Sequence, residues 1–122
     1  MSKKTVVVGA TPNATRYAFL ASEMLTSYQH PIVPIGIKTG EVMGQPILNI
    51  NDHPAIHDVD TITMYIGPQH QAPYYDYLLS LQPKRIIFNP GTENSEFEKL
   101  AEESGVEAIE ACTLVMLRSN QY

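Results

Sequence analysis

VVVGATPNATRY, residues 6–17, joins two patterns of different period in one short stretch. Val6 to Val8 form a continuous apolar, β-branched run, the pattern of a strand buried on both faces. From Tyr17 onward, Tyr17, Leu20, Ala21, Met24, Leu25 and Tyr28 recur at i, i+3, i+4, i+7, i+8 and i+11, one stripe of an amphipathic helix. A buried strand that stops at Gly9 and gives way to a helix has the shape of a nucleotide-binding turn, here with most of its glycines missing.

The same alternation runs outward from this turn. Pro31 helps end the helix, and Ile32-Val33-Pro34-Ile35 is a second strand; Pro34 cannot donate to a ladder and is expected near the strand's end. Lys38 to Val59 contains Gly40, Gly44, Pro46 and Pro54 and reads as a long connection with at most a short strand at Ile47-Leu48. Thr61 to Ile66 is a third strand, halted by Gly67-Pro68. The helix after it tolerates Pro73 in its first turn and ends before Pro83. Arg85 to Phe88 is a fourth strand, closing at Asn89-Pro90-Gly91. Asn94 or Ser95 can cap the next helix, since Ser95-x-x-Glu98 fits a capping box, and Gly105 stands at its C-terminal end. Val106 to Ile109 give a last strand before Cys112 to Leu117. Strands alternating with helices require parallel pairing through right-handed crossovers. The expected fold is therefore α/β, a Rossmann-type doubly wound parallel sheet of about five strands with helices on both faces. It is expected to form a single domain over residues 1–122.

Bulk properties narrow the partners. A chain of 122 residues has room for one core, and its composition is that of an ordinary soluble domain. A formal net charge of −5 disfavours nucleic acid and anionic membranes, which call for a basic face. No apolar run approaches the roughly 20 residues of a membrane span. Met1-Ser2-Lys3-Lys4 leads into a strand-like segment too short for a signal-peptide core. Cys112 is the single cysteine, so an internal disulfide is excluded and a cytoplasmic setting is expected.

In doubly wound folds ligands sit beyond the carboxyl ends of the strands. Here those ends are Gly9 to Tyr17, Ile35 to Lys38, Ile66 to His70 and Asn89 to Asn94. The first is the phosphate candidate: a helix N-terminus offers unpaired N–H groups, Gly9 allows close backbone approach, Thr11, Asn13 and Thr15 add donors, and Arg16 adds a cationic fork. Against a G-x-G-x-x-G pattern, the second and third glycines are replaced by Thr11 and Ala14. The alternative reading, a plain strand-to-helix turn with a capping Thr or Asn, therefore stays open. NAD-binding folds place an acid about 20 residues beyond the turn to grip the ribose diol. The second strand instead runs into Pro34-Ile35-Gly36-Ile37-Lys38, with no acid before Glu41. Unless Lys38 is merely a solvated surface lysine, this points to a nucleotide with an extra ribose phosphate, coenzyme A or NADP.

Four segments in order, VVVGATPNATRYAF from Val6, VPIGIKTGEVMGQPI from Val33, RIIFNPGTEN from Arg85 and CTLVML from Cys112, give the chain a family resemblance over nearly its whole length. It resembles the small stand-alone CoA-binding domain proteins. These in turn look like the N-terminal CoA-binding domain of the succinyl-CoA synthetase α subunit and of NDP-forming acyl-CoA synthetases. The resemblance implies that the CoA diphosphate and ribose phosphate lie against the first turn (Gly9, Ala10, Thr11, Pro12, Asn13, Arg16 and Tyr17) and the second strand's end (Pro34, Ile35, Gly36 and Lys38). It places adenine near Ile66, Gly67 and Pro68, and pantetheine over Asn89, Pro90 and Gly91. Two departures from the family pattern are visible: Gln29 stands where a glycine usually precedes the second strand, and the first turn is poorer in glycine than in the synthetases.

Other candidates are weaker. His53 and His57 are four apart with acids nearby, but Pro54 argues against a regular helix and no third metal ligand is evident. His70 could touch a ligand or face solvent. Cys112 lacks a base beside it and reads as a small buried hydrophobe. Tyr74, Tyr75 and Tyr77, with Leu78 and Leu81, read as a helix face packed on the sheet or a partner. The resembled synthetases use a phosphorylated histidine supplied by a second domain, and no Ser-His-Asp, G-x-S-x-G or paired-carboxylate arrangement is recognisable here. The reading is a module that binds CoA or acyl-CoA without catalysis of its own, with a homodimer or a separate partner chain left open. The alternatives are an NADP-dependent reductase or a fragment of one, and a structural subunit with a vestigial pocket.

Overall fold

The computed structural model describes residues 2–122; Met1, the first residue of the expected domain, lies outside the described residues. The chain runs β1 (Thr5–Val8), α1 (Tyr17–Ser27), β2 (Ile32–Gly36), β3 (Glu41–Val42), β4 (Gln45–Pro46), β5 (Leu48–Asn49), β6 (Thr61–Met64), α2 (Tyr75–Ser80), β7 (Arg85–Phe88), α3 (Ser95–Glu103), β8 (Glu107–Glu110) and α4 (Thr113–Arg118). Six strands form one parallel sheet in the order β5-β2-β1-β6-β7-β8, while β3 and β4 make a separate antiparallel ribbon. This is the expected Rossmann-type α/β fold, with a sixth strand one residue beyond the short strand that the sequence allowed at Ile47-Leu48. That strand, β5, is an edge strand of two residues pairing only with Ile35 and Gly36.

β1 sits at the centre because it can be buried on both sides. Val6 and Val8 join Ile62, Met64, Ile86 and Phe88 in a core beneath Tyr77 and Leu78 of α2 and Phe97 and Ala101 of α3. Val7 faces the other way, toward Ala18 and Leu25 of α1 and Leu117 of α4. Phe97 meets Phe88 edge to face, with centroids 5.7 Å apart at 88°, a contact adding about 0.5–1.5 kcal/mol beyond area burial.

Several local expectations are corrected. Of the stripe read from Tyr17 to Tyr28, Ala21 and Leu25 are buried as expected, but Ala18 and Ser22 complete the buried face of α1 in place of the tyrosines. Tyr17 and Tyr28, 71% and 48% exposed, stand off the sheet. The small alanines let the helix axis approach the strands, which the periodicity of large residues did not reveal. Pro34 lies in the middle of β2, not near its end. The carbonyls of Pro31 and Ile35 accept from Thr5 and Gly9 of the β1 side, so alternation turns Pro34's missing N–H toward the other edge, where β5 is too short to need it. The α3 cap is Asn94, whose side chain accepts from Phe97 N, while Glu98 rather than a Ser95 box closes back onto Asn94 N. Gly105, at φ +81°, ends α3 as expected, with Val106 N and Gly105 N bonding to Ala101 and Glu102 carbonyls. The last strand starts one residue later than read, at Glu107.

The amino ends of the strands are locked by the C-terminal residue. Arg85, nearly buried, donates through Nε to Thr61 Oγ1 at 2.8 Å and lies 4.5 Å over the Tyr122 ring, and Tyr122 also contacts Thr5 and His30. The opposite, carboxyl ends are left free to form a site.

Candidate functional site

The sheet changes direction at β1: the chain goes first to β2 on one side and then, after the long connection, to β6 on the other. A crevice opens above the carboxyl ends at such a switch point. The register keeps those ends level, with Val8 opposite both Ile35 and Met64.

Gly9 shapes the turn. Its φ of +92° is left-handed, and a Cβ there would lie 2.9 Å from Ile66 Cγ2 and 3.0 Å from the Tyr65 carbonyl carbon. The N–H groups of Gly9 and Ala10 both donate to Ile35 O, at 3.0 and 3.2 Å, so they hold the turn to β2 and are not available to a ligand. Asn13 organises the next residues: its Oδ1 accepts from Thr15 N and Thr15 Oγ1, at 3.0 and 2.7 Å. The helix therefore starts later than the glycine fingerprint implies. Arg16 is itself the N-cap, in extended conformation, and no side chain caps α1. Tyr17 and Ala18, the first residues of the helix, line the crevice and present the positive end of its dipole.

The second wall comes from β2. A Cβ on Gly36 would lie 3.4 Å from Ala10 N, so a glycine lets the β2 end run close under the turn, and Ile37 and Lys38 emerge beside it. Past Lys38, Gly40 packs on the Pro12 side chain. The third wall is the end of β6. Tyr65 and Ile66 leave the ladder after Met64, though Tyr65 N still bonds to Val8 O at 2.8 Å. Burial pushes the Tyr65 phenol well above its usual pKa.

These walls enclose two adjoining lobes that share Gly9, Arg16, Lys38 and Tyr65. One, of about 560 Å³, extends past Thr11, Pro12, Asn13 and Tyr17 toward Pro90, Gly91 and Thr92. The other, of about 410 Å³, is walled by Ile37, Ile50, Ile66, His70, Pro73 and Tyr74. Each falls within the roughly 300–1,000 Å³ typical of small-molecule sites. The chain has 13 acidic residues, yet among the described residues none lines either lobe, while Arg16 and Lys38 stand at their junction. In a protein of net charge −5 this is a local reversal of sign that draws in anions.

The site residues read from the sequence divide accordingly. Gly9, Ala10, Thr11, Pro12, Asn13, Arg16, Tyr17, Gly36, Lys38, Ile66, Gly67, Pro90 and Gly91 border the two lobes. Pro34 and Ile35 do not: both are buried inside β2, and Ile35 acts through its carbonyl. Pro68 opens a 3-10 turn over Pro68–His70, and its neighbours Gly67, Gln69 and His70 face the crevice instead. Asn89 is also beneath the floor. It is 2% exposed, with Nδ2 donating to Thr63 Oγ1 and Met64 O and Oδ1 accepting from Thr113 N at 2.8 Å. It ties β6, β7 and α4 together, and Thr92 lines the lobe above it.

Other residues were not legible in the sequence. Tyr65 and Thr39 line the crevice, as do Gln69 and Thr92, which fall within the strand ends read from the sequence without having been singled out there. Gln71, fully buried, donates to Ile66 O at 3.0 Å and Thr92 O at 2.9 Å and accepts from Asn94 Nδ2 at 2.9 Å. It fastens the loop beyond β6 to the loop beyond β7. Of the three tyrosines, Tyr77 is buried and Tyr75 stacks on Phe97 at 4.4 Å, as packing residues should, while Tyr74 reaches the apolar lobe. His53 takes φ +48° and stacks on Tyr77, and no group of three or more metal-ligating side chains occurs among the described residues. Cys112 is half-buried at the N-cap of α4.

Comparison with known proteins bears on the family and the fold. The family model described as CoA binding domain matches residues 3–118. No curated protein matches the chain. A crystal structure of an uncharacterized protein is similar at 52% identity and a TM-score of 0.97, covering 100% of this chain and 99% of that one. A conserved hypothetical protein from Pyrococcus furiosus has 24% identity and a TM-score of 0.80, covering 93% and 97% of the two chains. A Thermus thermophilus structure, cell-free ID.343, shares the fold at 20% identity and a TM-score of 0.83, covering 99% and 91%. No helix of the described residues is long and apolar enough to cross a membrane. The chain belongs to the CoA-binding domain family.

Proposed function

We propose that the chain binds CoA, free or acylated, in the two-lobed crevice and performs no reaction on it. The observation that carries this reading is the pair Arg16 and Lys38 at the junction of two lobes that, among the described residues, no acid lines. The diphosphate lies against Arg16 and the start of α1, and the ribose phosphate meets Lys38. The adenine enters the apolar lobe between Ile37, Ile66 and Pro73. The pantetheine follows the polar lobe past Tyr65 to Pro90–Thr92. Lack of catalysis is supported by the far end of that lobe. Thr92 N donates to Asn89 O and Gly91 N to Glu93 Oε1, so these donors are already engaged and offer no ready oxyanion site.

The test is titration calorimetry with CoA, dephospho-CoA, NADP and NAD, alongside incubation with acetyl-CoA while free thiol is monitored. CoA should bind more tightly than dephospho-CoA, NAD should bind weakly, and no thiol should appear above background. Equal binding of NAD and CoA overturns the ligand assignment, and thiol release overturns the absence of catalysis.

A further inference from the structure

The polar lobe is charged unevenly along its length. Arg16 and Lys38 line one stretch of its wall, and Pro90, Gly91 and Thr92 form a lip on another. Glu93 Oε1 accepts a hydrogen bond from Gly91 N at 2.9 Å, which holds an exposed carboxylate at this lip. Two neighbouring acids are engaged elsewhere: Glu96 Oε1 accepts from the Tyr75 hydroxyl at 3.1 Å, and Glu98 Oε2 from Asn94 N at 3.0 Å. Of the three, Glu93 bonds to a residue that lines the crevice.

We propose that Glu93 sets the acyl specificity of the site: it admits CoA and CoA carrying an uncharged acyl group, and it discriminates against acyl groups ending in a carboxylate. The inference rests on the CoA reading above. With the phosphates at Arg16 and Lys38, the thiol end points to the Pro90–Thr92 lip. A dicarboxylic acyl group would bring a second carboxylate there, facing Glu93 rather than a cation. The Gly91 N–H, a donor at this lip, is already occupied by Glu93. Repulsion between two largely solvated carboxylates several ångströms apart is modest and screened by salt, so the effect is a selectivity of about 3- to 10-fold rather than exclusion.

The experiment measures Kd for CoA, acetyl-CoA and succinyl-CoA with the wild-type chain, E93Q and the α1 surface control E23Q, at low and high salt. Glutamine keeps an acceptor for Gly91 N and removes the charge, and thermal denaturation checks that each variant is folded. The expected result is a succinyl-CoA Kd about 3- to 10-fold above that of acetyl-CoA in wild type and E23Q. That gap should shrink at high salt and close in E93Q, with CoA affinity unchanged. Equal wild-type affinities, or a gap that persists in E93Q, overturns the role of Glu93 and leaves CoA binding standing. Failure of all three thioester and thiol ligands to bind overturns the CoA reading, and this inference with it.

Discussion

Replacing Arg16 by alanine removes the guanidinium that borders both lobes of the crevice. The side chain is exposed and, although Arg16 is the N-cap of α1, it makes no capping hydrogen bond. The folded state therefore loses little, and the stability change should stay within about 0.5 kcal/mol. Binding is different. A charge-assisted contact to phosphate contributes about 1.5–3 kcal/mol, which is roughly 10- to 150-fold in Kd. Because Arg16 is open to water, the lower half of that range is expected. The loss should also flatten the dependence of CoA affinity on ionic strength, since one screened attraction is gone. Titration calorimetry at two salt concentrations, with thermal denaturation of the same samples, reads all three quantities. An Arg16→Ala chain that binds CoA with unchanged Kd and unchanged salt dependence would mean that Arg16 only decorates the helix start and that the phosphates lie elsewhere.

Four other substitutions test the scaffold behind the site. Gly9→Val adds a Cβ 2.9 Å from Ile66 Cγ2 at φ +92°, so strain and overpacking together should cost about 2–6 kcal/mol in chemical denaturation, a loss of fold before any loss of ligand. Gln71→Leu leaves Ile66 O and Thr92 O without their side-chain donor and should cost about 2–5 kcal/mol, with weaker CoA binding as the two loops loosen. Gln29→Gly relieves a φ of +68° and, set against the extra entropy of the unfolded chain, should stabilise by about 0.5–1 kcal/mol, read as a rise in Tm of a few degrees. His30 accepts from Lys3 N, and burial with Lys3 nearby holds its pKa below the ordinary 6.5, so the unfolded chain binds the proton more readily. Stability from His30 is therefore complete above pH 6.5 and is lost as pH falls below it; His30→Gln should flatten that part of the stability profile.

The fold was legible because its signal is long-range and periodic. Three β-branched residues before Gly9, alternation of strands with helices, and breakers at Gly67-Pro68 and Asn89-Pro90-Gly91 fix the order of elements without any knowledge of contacts. What stayed hidden depends on which side chain turns inward at a given place. Asn89 and Gln71 are both polar residues in loops rich in turn formers, and sequence gives no means of telling a ligand-facing amide from a buried tie. Both proved to be ties. Tyr65 was hidden for the opposite reason: at the end of an apolar strand it looked like core, and only its departure from the ladder after Met64 exposes it to the crevice. Gln29 shows a third limit. Its side chain says nothing of a left-handed backbone, yet His30 N to Leu25 O and Gln29 N to Thr26 O close the helix as a glycine would. The departure from the family pattern noted there concerns the exit of α1 and leaves the ligand walls alone.

The missing glycines of the first turn can be accounted for in the same terms. In a G-x-G-x-x-G turn the first glycine makes the tight bend, the second clears the backbone for pyrophosphate and the third lets the helix pack on the strand. Here Gly9 keeps the first role. The third passes to Ala18 and Ala21, 5% and 0% exposed, on a helix that begins later, at Tyr17. The second has no substitute in the turn, where Thr11 and Pro12 stand; the close approach comes instead from β2, where Gly36 brings its backbone beneath Ala10. That shift moves the anion's expected contacts away from a ring of turn N–H groups and toward Arg16, Lys38 and the start of α1. A site that depends on two exposed cations should release its ligand more readily with rising salt than a glycine-rich cradle of backbone N–H groups would. The salt dependence of CoA binding, measured on the wild-type chain, therefore reports which of the two designs this turn uses.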